Sequence, residues 1–193
     1  MCTGNICRSP LAEQLLRTRL AGLEASVTSA GTRGLPAVPM TPEAVQLAVA
    51  RGVDPEDAAA HRSRYLTEAH LVAPDLILTM TRDHRRAVAE LAPARLRSTF
   101  TVREFARLVD GVSDEELAVQ GTDASARVRA LGVLVASRRG VALAPDDPAE
   151  DDVIDPYRRS WQTYELSASQ LEPAIDTVVR ALRTALADPS PES

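Results

Sequence analysis

The sequence predicts an α/β fold built on a parallel sheet, and two observations carry that prediction. Strand-like segments alternate with amphipathic helical ones along the chain. The run Leu76–Met80 is continuously apolar rather than alternating, as expected of a strand covered on both faces. The composition agrees: 45% of residues are hydrophobic, much of that alanine, and only 3% are aromatic, which favours helices. With 193 residues the chain suits one domain with a sizeable core.

The elements follow in order. Ser9-Pro10 reads as an N-cap followed by proline at the first helical position, and Leu11, Leu15, Leu16 and Leu20 mark one face as far as Gly22. Ser26–Ser29 is β-prone and breaks at Ala30-Gly31. Thr41-Pro42 opens a helix to Arg51-Gly52, with Ala44, Leu47 and Ala48 on one side. After the strand Leu76–Met80, Arg82–Leu91 reads as a helix with its charges outward. The stretch from about Phe100 to Ala136 is mostly helical by pattern, through Phe105, Leu108 and Val109, then Val128, Leu131 and Val135. Val141–Val153 is proline- and acid-rich and reads as a loop. Ser160–Leu186 is a terminal helix that Pro173 kinks or splits, and 188–193 is expected to be a disordered tail.

All 22 basic residues are arginine, against 27 acidic ones, for a net charge of −5. Without a lysine there is no Schiff-base or pyridoxal-phosphate chemistry and no GxxxxGK[ST] nucleotide loop. The mild acidity argues against general binding of nucleic acid or an anionic membrane. No stretch approaches a membrane span, and residues 1–20 lack the parts of a signal peptide. The expectation is a cytoplasmic protein with reduced thiols.

Both cysteines lie in the string Cys2-Thr3-Gly4-Asn5-Ile6-Cys7-Arg8-Ser9-Pro10. Glycine and asparagine readily adopt left-handed backbone, so the loop can turn successive N–H groups inward as an anion nest. A helix N-terminus and the planar fork of Arg8 add positive charge, and the same field favours a thiolate at Cys2. On the loop alone a buried thiol or a metal clip stays open, although structural zinc takes four ligands, and His61, His70 and His84 form no ligand pattern with these cysteines.

The nine-residue string closely resembles the active-site loop of the low-molecular-weight protein tyrosine phosphatases. The family's Asp-Pro-aromatic motif is matched by Asp155-Pro156-Tyr157, and Ser29-Ala30-Gly31-Thr32 and Leu76-Ile77-Leu78-Thr79-Met80 resemble family segments in the expected order. The resemblance implies a flavodoxin-like three-layer fold, a central parallel sheet flanked by helices, and a metal-free, cofactor-free phosphatase of protein phosphotyrosine working through a phosphocysteine. It implies Cys2 as nucleophile, Arg8 as the transition-state arginine and Asp155 as the general acid. Thr3, Gly4, Asn5, Ile6, Cys7, Arg8 and Ser9 would bind the phosphate, Ser9 also steadying the thiolate and capping the helix. Asn5 would hold the loop with Ser29 and His61 as partners, Tyr157 would line the cleft, and Cys7 could form a protective disulfide with Cys2. Ile6 favours phosphotyrosine, whereas relatives acting on phosphoarginine carry threonine there. Asp151 and Asp152 are candidates to raise the pKa of Asp155 by like-charge repulsion.

Against the family pattern, only Met1 precedes Cys2 where an apolar strand is expected, so the first strand is missing and the expectation is an in-frame apolar stretch upstream. The domain spans 1–187, with an insertion over about 93–150 that is either embellishment or a wall or partner surface beside the cleft. Arg33, Arg158 and Arg159 are candidates to meet an acidic substrate rim. The alternatives on the same fold are an arsenate reductase, for whose thiol relay this chain offers no cysteine after Cys7, a phosphoarginine phosphatase, and a truncated, inactive phosphate-binding module. The partners expected are phosphotyrosine proteins, not nucleic acid or membrane.

Overall fold

The computed structural model describes residues 1–34 and 36–187, so the expected tail at 188–193 lies outside the described residues. The order is α1 (Arg8–Arg19), α2 (Pro42–Val49), α3 (Pro55–Ala60), β1 (Ile77–Thr79), α4 (Arg82–Leu91), β2 (Thr99–Thr101), α5 (Val102–Val109), α6 (Asp114–Leu117), α7 (Ala124–Ser137) and α8 (Trp161–Leu186). The caps explain most of the starts. Thr41, Asp54, Thr81, Thr101, Ser113 and Asp123 each accept a backbone N–H from the first turn of the helix that follows, and proline opens α2 and α3.

β1 and β2 pair in parallel, Ile77 with Thr99, Leu78 with Phe100 and Thr79 with Thr101. The pleat sends alternate residues to opposite faces. Ile77 joins a small cluster with Ala30, Leu66, Leu71 and Val88 of α4. Leu78 and Phe100 face the larger core, which holds the apolar stripes of α1, α2, α5, α7 and α8. Beyond β1 the parallel order continues through backbone contacts. The Met1 amine donates to Leu78 O (2.6 Å) and the Met80 N–H to Met1 O (2.9 Å). Single bridges then join Cys2 to Gly31 and Gly31 to Tyr65.

Four expectations change. Ser26–Ser29 forms no ladder; it runs beside a cavity of about 730 Å³ that separates it from Leu76–Leu78. A β-prone segment becomes a strand only where a neighbour exchanges hydrogen bonds with it. Thr99–Thr101 is a strand inside the stretch read as mostly helical, three residues being too short to show a period of two. α1 begins at Arg8, with Cys7 at its N-cap making no side-chain cap bond, so Ser9 is helical and does not cap it. α8 continues unbroken across Pro173.

Candidate active site

Cys2 ends the short parallel contact with Gly31, and the chain then turns through Thr3–Cys7 into α1. Asn5 has φ 57°, the left-handed conformation expected of asparagine. The turn needs a glycine opposite it. A Cβ on Gly31 would lie 2.5 Å from Thr3 O and 3.0 Å from Asn5 N.

Asn5 is fully buried and holds the loop from inside. Its Oδ1 accepts the Arg64 N–H (3.0 Å), which fixes the amide so that Nδ2 donates to Ser9 Oγ (2.9 Å) and Ser29 Oγ (2.6 Å). His61 Nε2 meets Asn5 O at 2.9 Å. Ser29 Oγ in turn donates to Glu13 Oε2 (2.5 Å), and the buried Glu13 carboxylate also pairs with Arg17 at 2.8 Å. Because an ionised carboxylate only accepts and the amide nitrogen only donates, the chain has one direction. Ser9, already an acceptor from Asn5, has its own proton free for Cys2 Sγ, 3.0 Å away. The Asn5 N–H also points to that sulfur at 3.3 Å. Two donors thus converge on the sulfur of a residue only 2% exposed.

Cys7 is different. Its thiol meets Thr41 Oγ1 (3.6 Å) and Tyr164 Oη (3.5 Å), and burial pushes its pKa up. Both cysteines are free thiols. Ile6 is buried in the larger core.

Arg8, 4% exposed, reaches out of α1 to the loop before α8. Nη1 donates to Val153 O at 3.0 Å and Nη2 pairs with Asp155 at 2.6 Å, while the buried Nε has no partner among the described residues. Asp155 is half exposed and accepts the Tyr157 N–H at 3.1 Å. The Tyr157 ring is exposed under the Arg158 guanidinium, 5.2 Å from its centre. Asp151 pairs with Arg107 at 2.7 Å and Asp152 with Arg82 at 3.0 Å.

The structure therefore brings Cys2, Arg8 and Asp155 to one mouth, and Asn5, Ser9, Ser29 and His61 beneath it. Sequence reasoning missed Glu13, the Arg64 N–H and His84. His84 Nε2 lies 2.9 Å from Thr3 Oγ1 and Nδ1 lies 2.7 Å from Thr81 Oγ1. Burial first, then Arg8, lower its pKa to about 3, so it is neutral. The only local signal was Thr81 as a helix cap three residues before it.

A family model described as low molecular weight phosphotyrosine protein phosphatase matches residues 1–121. The chain belongs to this family. It is similar to the probable low molecular weight protein-tyrosine-phosphatase EpsP of Ralstonia nicotianae, 35% identical over 143 residues that cover 68% of this chain and 95% of that relative. It is also similar to a protein-arginine-phosphatase of Geobacillus stearothermophilus, 28% identical over 95% of this chain and 94% of the relative. Among solved structures, the low molecular weight protein tyrosine phosphatase of T. tengcongensis matches with a TM-score of 0.63 and 26% identity, covering 92% of this chain and 93% of its own. The flavodoxin-like α/β architecture expected of the low molecular weight phosphatases is thus the architecture of this chain.

Proposed function

We propose that the chain is a cysteine-dependent phosphatase of protein phosphotyrosine, acting through a phosphocysteine intermediate. The observation that carries this reading is Arg8. It is a buried guanidinium six residues after a hydrogen-bonded thiol, holding Asp155 on Nη2 and keeping a buried Nε without an acceptor among the described residues. A phosphoryl group would take over Nη2 and supply Nε, and buried donors of this kind call for an acceptor.

In the first step the Cys2 thiolate attacks phosphorus. The Sγ–P bond forms as the bond to the tyrosyl oxygen breaks, and protonated Asp155 gives its proton to that oxygen. In the second, Asp155 takes a proton from water, whose oxygen attacks phosphorus and releases inorganic phosphate and the thiolate. Arg8 and the N–H groups of Thr3–Ser9 carry the charge on the equatorial oxygens, so the work is positioning and electrostatics. Substrate is brought by phosphotyrosine-bearing proteins, with Tyr157 at the rim. The two free thiols fit a compartment that keeps cysteines reduced, which supports a cytoplasmic setting. Separately, no helix among the described residues is long and apolar enough to cross a membrane.

The test is hydrolysis of p-nitrophenyl phosphate with a burst of p-nitrophenol. Cys2→Ser should abolish both, and full activity in that variant would overturn the mechanism. Phosphotyrosine peptides should exceed phosphoarginine peptides in kcat/KM; the reverse order would move the chain toward its arginine-phosphatase relative.

A further inference from the structure

Asp155 is half exposed on a loop, yet a general acid must meet the leaving oxygen within hydrogen-bond reach. The residues before it are tied down one after another by elements from elsewhere. Arg107 of α5 grips Asp151 with two parallel bonds, Nε to Oδ1 at 3.1 Å and Nη2 to Oδ2 at 2.7 Å, while Thr101 Oγ1 donates to Asp151 O at 2.6 Å. The Arg82 N–H and Nη2, at the start of α4, hold the two oxygens of Asp152 at 2.8 and 3.0 Å, and Arg103 Nη1 donates to its carbonyl at 2.9 Å. The Val153 N–H donates to Met80 O at 2.8 Å and the Ile154 N–H to Gln170 Oε1 at 2.9 Å.

We propose that Arg82, Arg103 and Arg107 are positioning residues that hold residues 151–154 so that Asp155 faces the leaving oxygen. This deepens the phosphatase reading and rests on it. It also gives a catalytic task to part of the segment at about 93–150, whose α5 supplies two of the three arginines. Partly exposed ion pairs add little stability. Three guanidinium groups from two helices converging on two consecutive residues are better matched to fixing geometry. Arginine suits this because its planar fork sets direction as well as distance, which the bidentate contact to Asp151 uses.

The experiment is kcat/KM for aryl phosphates of graded leaving-group pKa, from 2,4-dinitrophenyl to phenyl phosphate, in wild type, Arg107→Gln, Arg82→Gln and Asp155→Asn. A good leaving group departs without a proton, so loss of positioning should touch only the poor ones. Arg107→Gln should slow phenyl phosphate about tenfold, a fraction of the roughly 10²–10⁴-fold that general acids supply, and leave 2,4-dinitrophenyl phosphate within about twofold. Inhibition by inorganic phosphate should not change. In an Asp155→Asn background Arg107→Gln should have no further effect, because nothing is left to position. If Arg107→Gln fails to fold, Arg82→Gln on the more exposed pair carries the same test. Equal losses on every leaving group, or losses that multiply with Asp155→Asn, overturn the clamp alone. An inactive wild type overturns the phosphatase reading, and the clamp with it.

Discussion

Cys2 and Met1 are neighbours in the chain and sit in opposite surroundings. On the Cys2 side, Asn5, Ser9, Ser29, His61 and Glu13 form a buried polar network in which each hydrogen bond sets the direction of the next. On the Met1 side lies a cavity of about 730 Å³, walled by Leu16 of α1 and Leu20 just after it, Ile175 and Leu182 of α8, and the flanking segments Val27–Ala30 and Leu76–Leu78. Close packing is the rule in protein interiors, and the apolar side chains that face this space forfeit dispersion contacts, while Glu13, Asp75 and Ser125 add polar groups to the same wall. The contrast teaches that this fold holds its loop by directed bonds, while its sheet interior depends on whatever fills the space beside β1.

The sharpest way to break the comparison is Gly31→Ala. Its Cβ would fall 2.5 Å from Thr3 O and 2.9 Å from Gly34 Cα, both backbone, so the loop itself must move. A displacement near 1 Å at a reacting group costs about 10²-fold. We expect kcat/KM for p-nitrophenyl phosphate to drop by that order and stability by ~1–3 kcal/mol. Activity within twofold of wild type would show that the loop is more compliant than its network implies.

The cavity side responds to filling. Met1 already pairs with Leu78 and Met80 in the parallel sense, so a fused segment of five Val or Ile residues before Met1 would continue that ladder between the two flanking segments. Each buried side chain contributes ~1.5–3 kcal/mol, offset by ~1–2 kcal/mol per residue of backbone ordering. For a chain of this length the net gain should raise Tm by roughly 5–10 °C, and an alternating Glu-Arg extension should not. Equal Tm for the two extensions would mean that the space does not accept a strand.

These two regions were also unequally legible from sequence. The loop was readable because its chemistry is local: cysteine, glycine, asparagine and arginine within nine residues leave few alternatives, and the structure sets Asn5 beside Ser29 and His61. The long helices were readable from their apolar stripes, and α4 was placed with its full span Arg82–Leu91. What could not be read depends on partners far along the chain. Glu13 joins the site only because the fold brings Ser29 and His61 to it. The β-prone Ser26–Ser29 has no adjacent ladder, and β2 is only three residues long. Arg107 is one arginine among 22 until α5 carries it to Asp151.

The finest test of the contrast is His84, which sits between the two regions. It bridges Thr3 of the loop and Thr81 at the start of α4, and it is held neutral by burial, by Arg8 and by the Met1 amine, with Asp152 opposing. Its pKa falls from the ordinary 6.5 to about 3, so between those values the unfolded chain binds a proton that the folded one does not. His84 therefore leaves stability intact above pH 6.5 and takes stability away as the pH falls toward 3. By pH 5 the loss is about 2 kcal/mol, from 1.5 units below an unfolded value of 6.5. Tm measured from pH 7 to pH 4 should decline less steeply in His84→Gln, which keeps a side-chain amide for Thr3 but cannot titrate. Parallel curves for the two proteins would mean that His84 charges in the folded state, and that the polar network yields to protons as readily as the cavity yields to a strand.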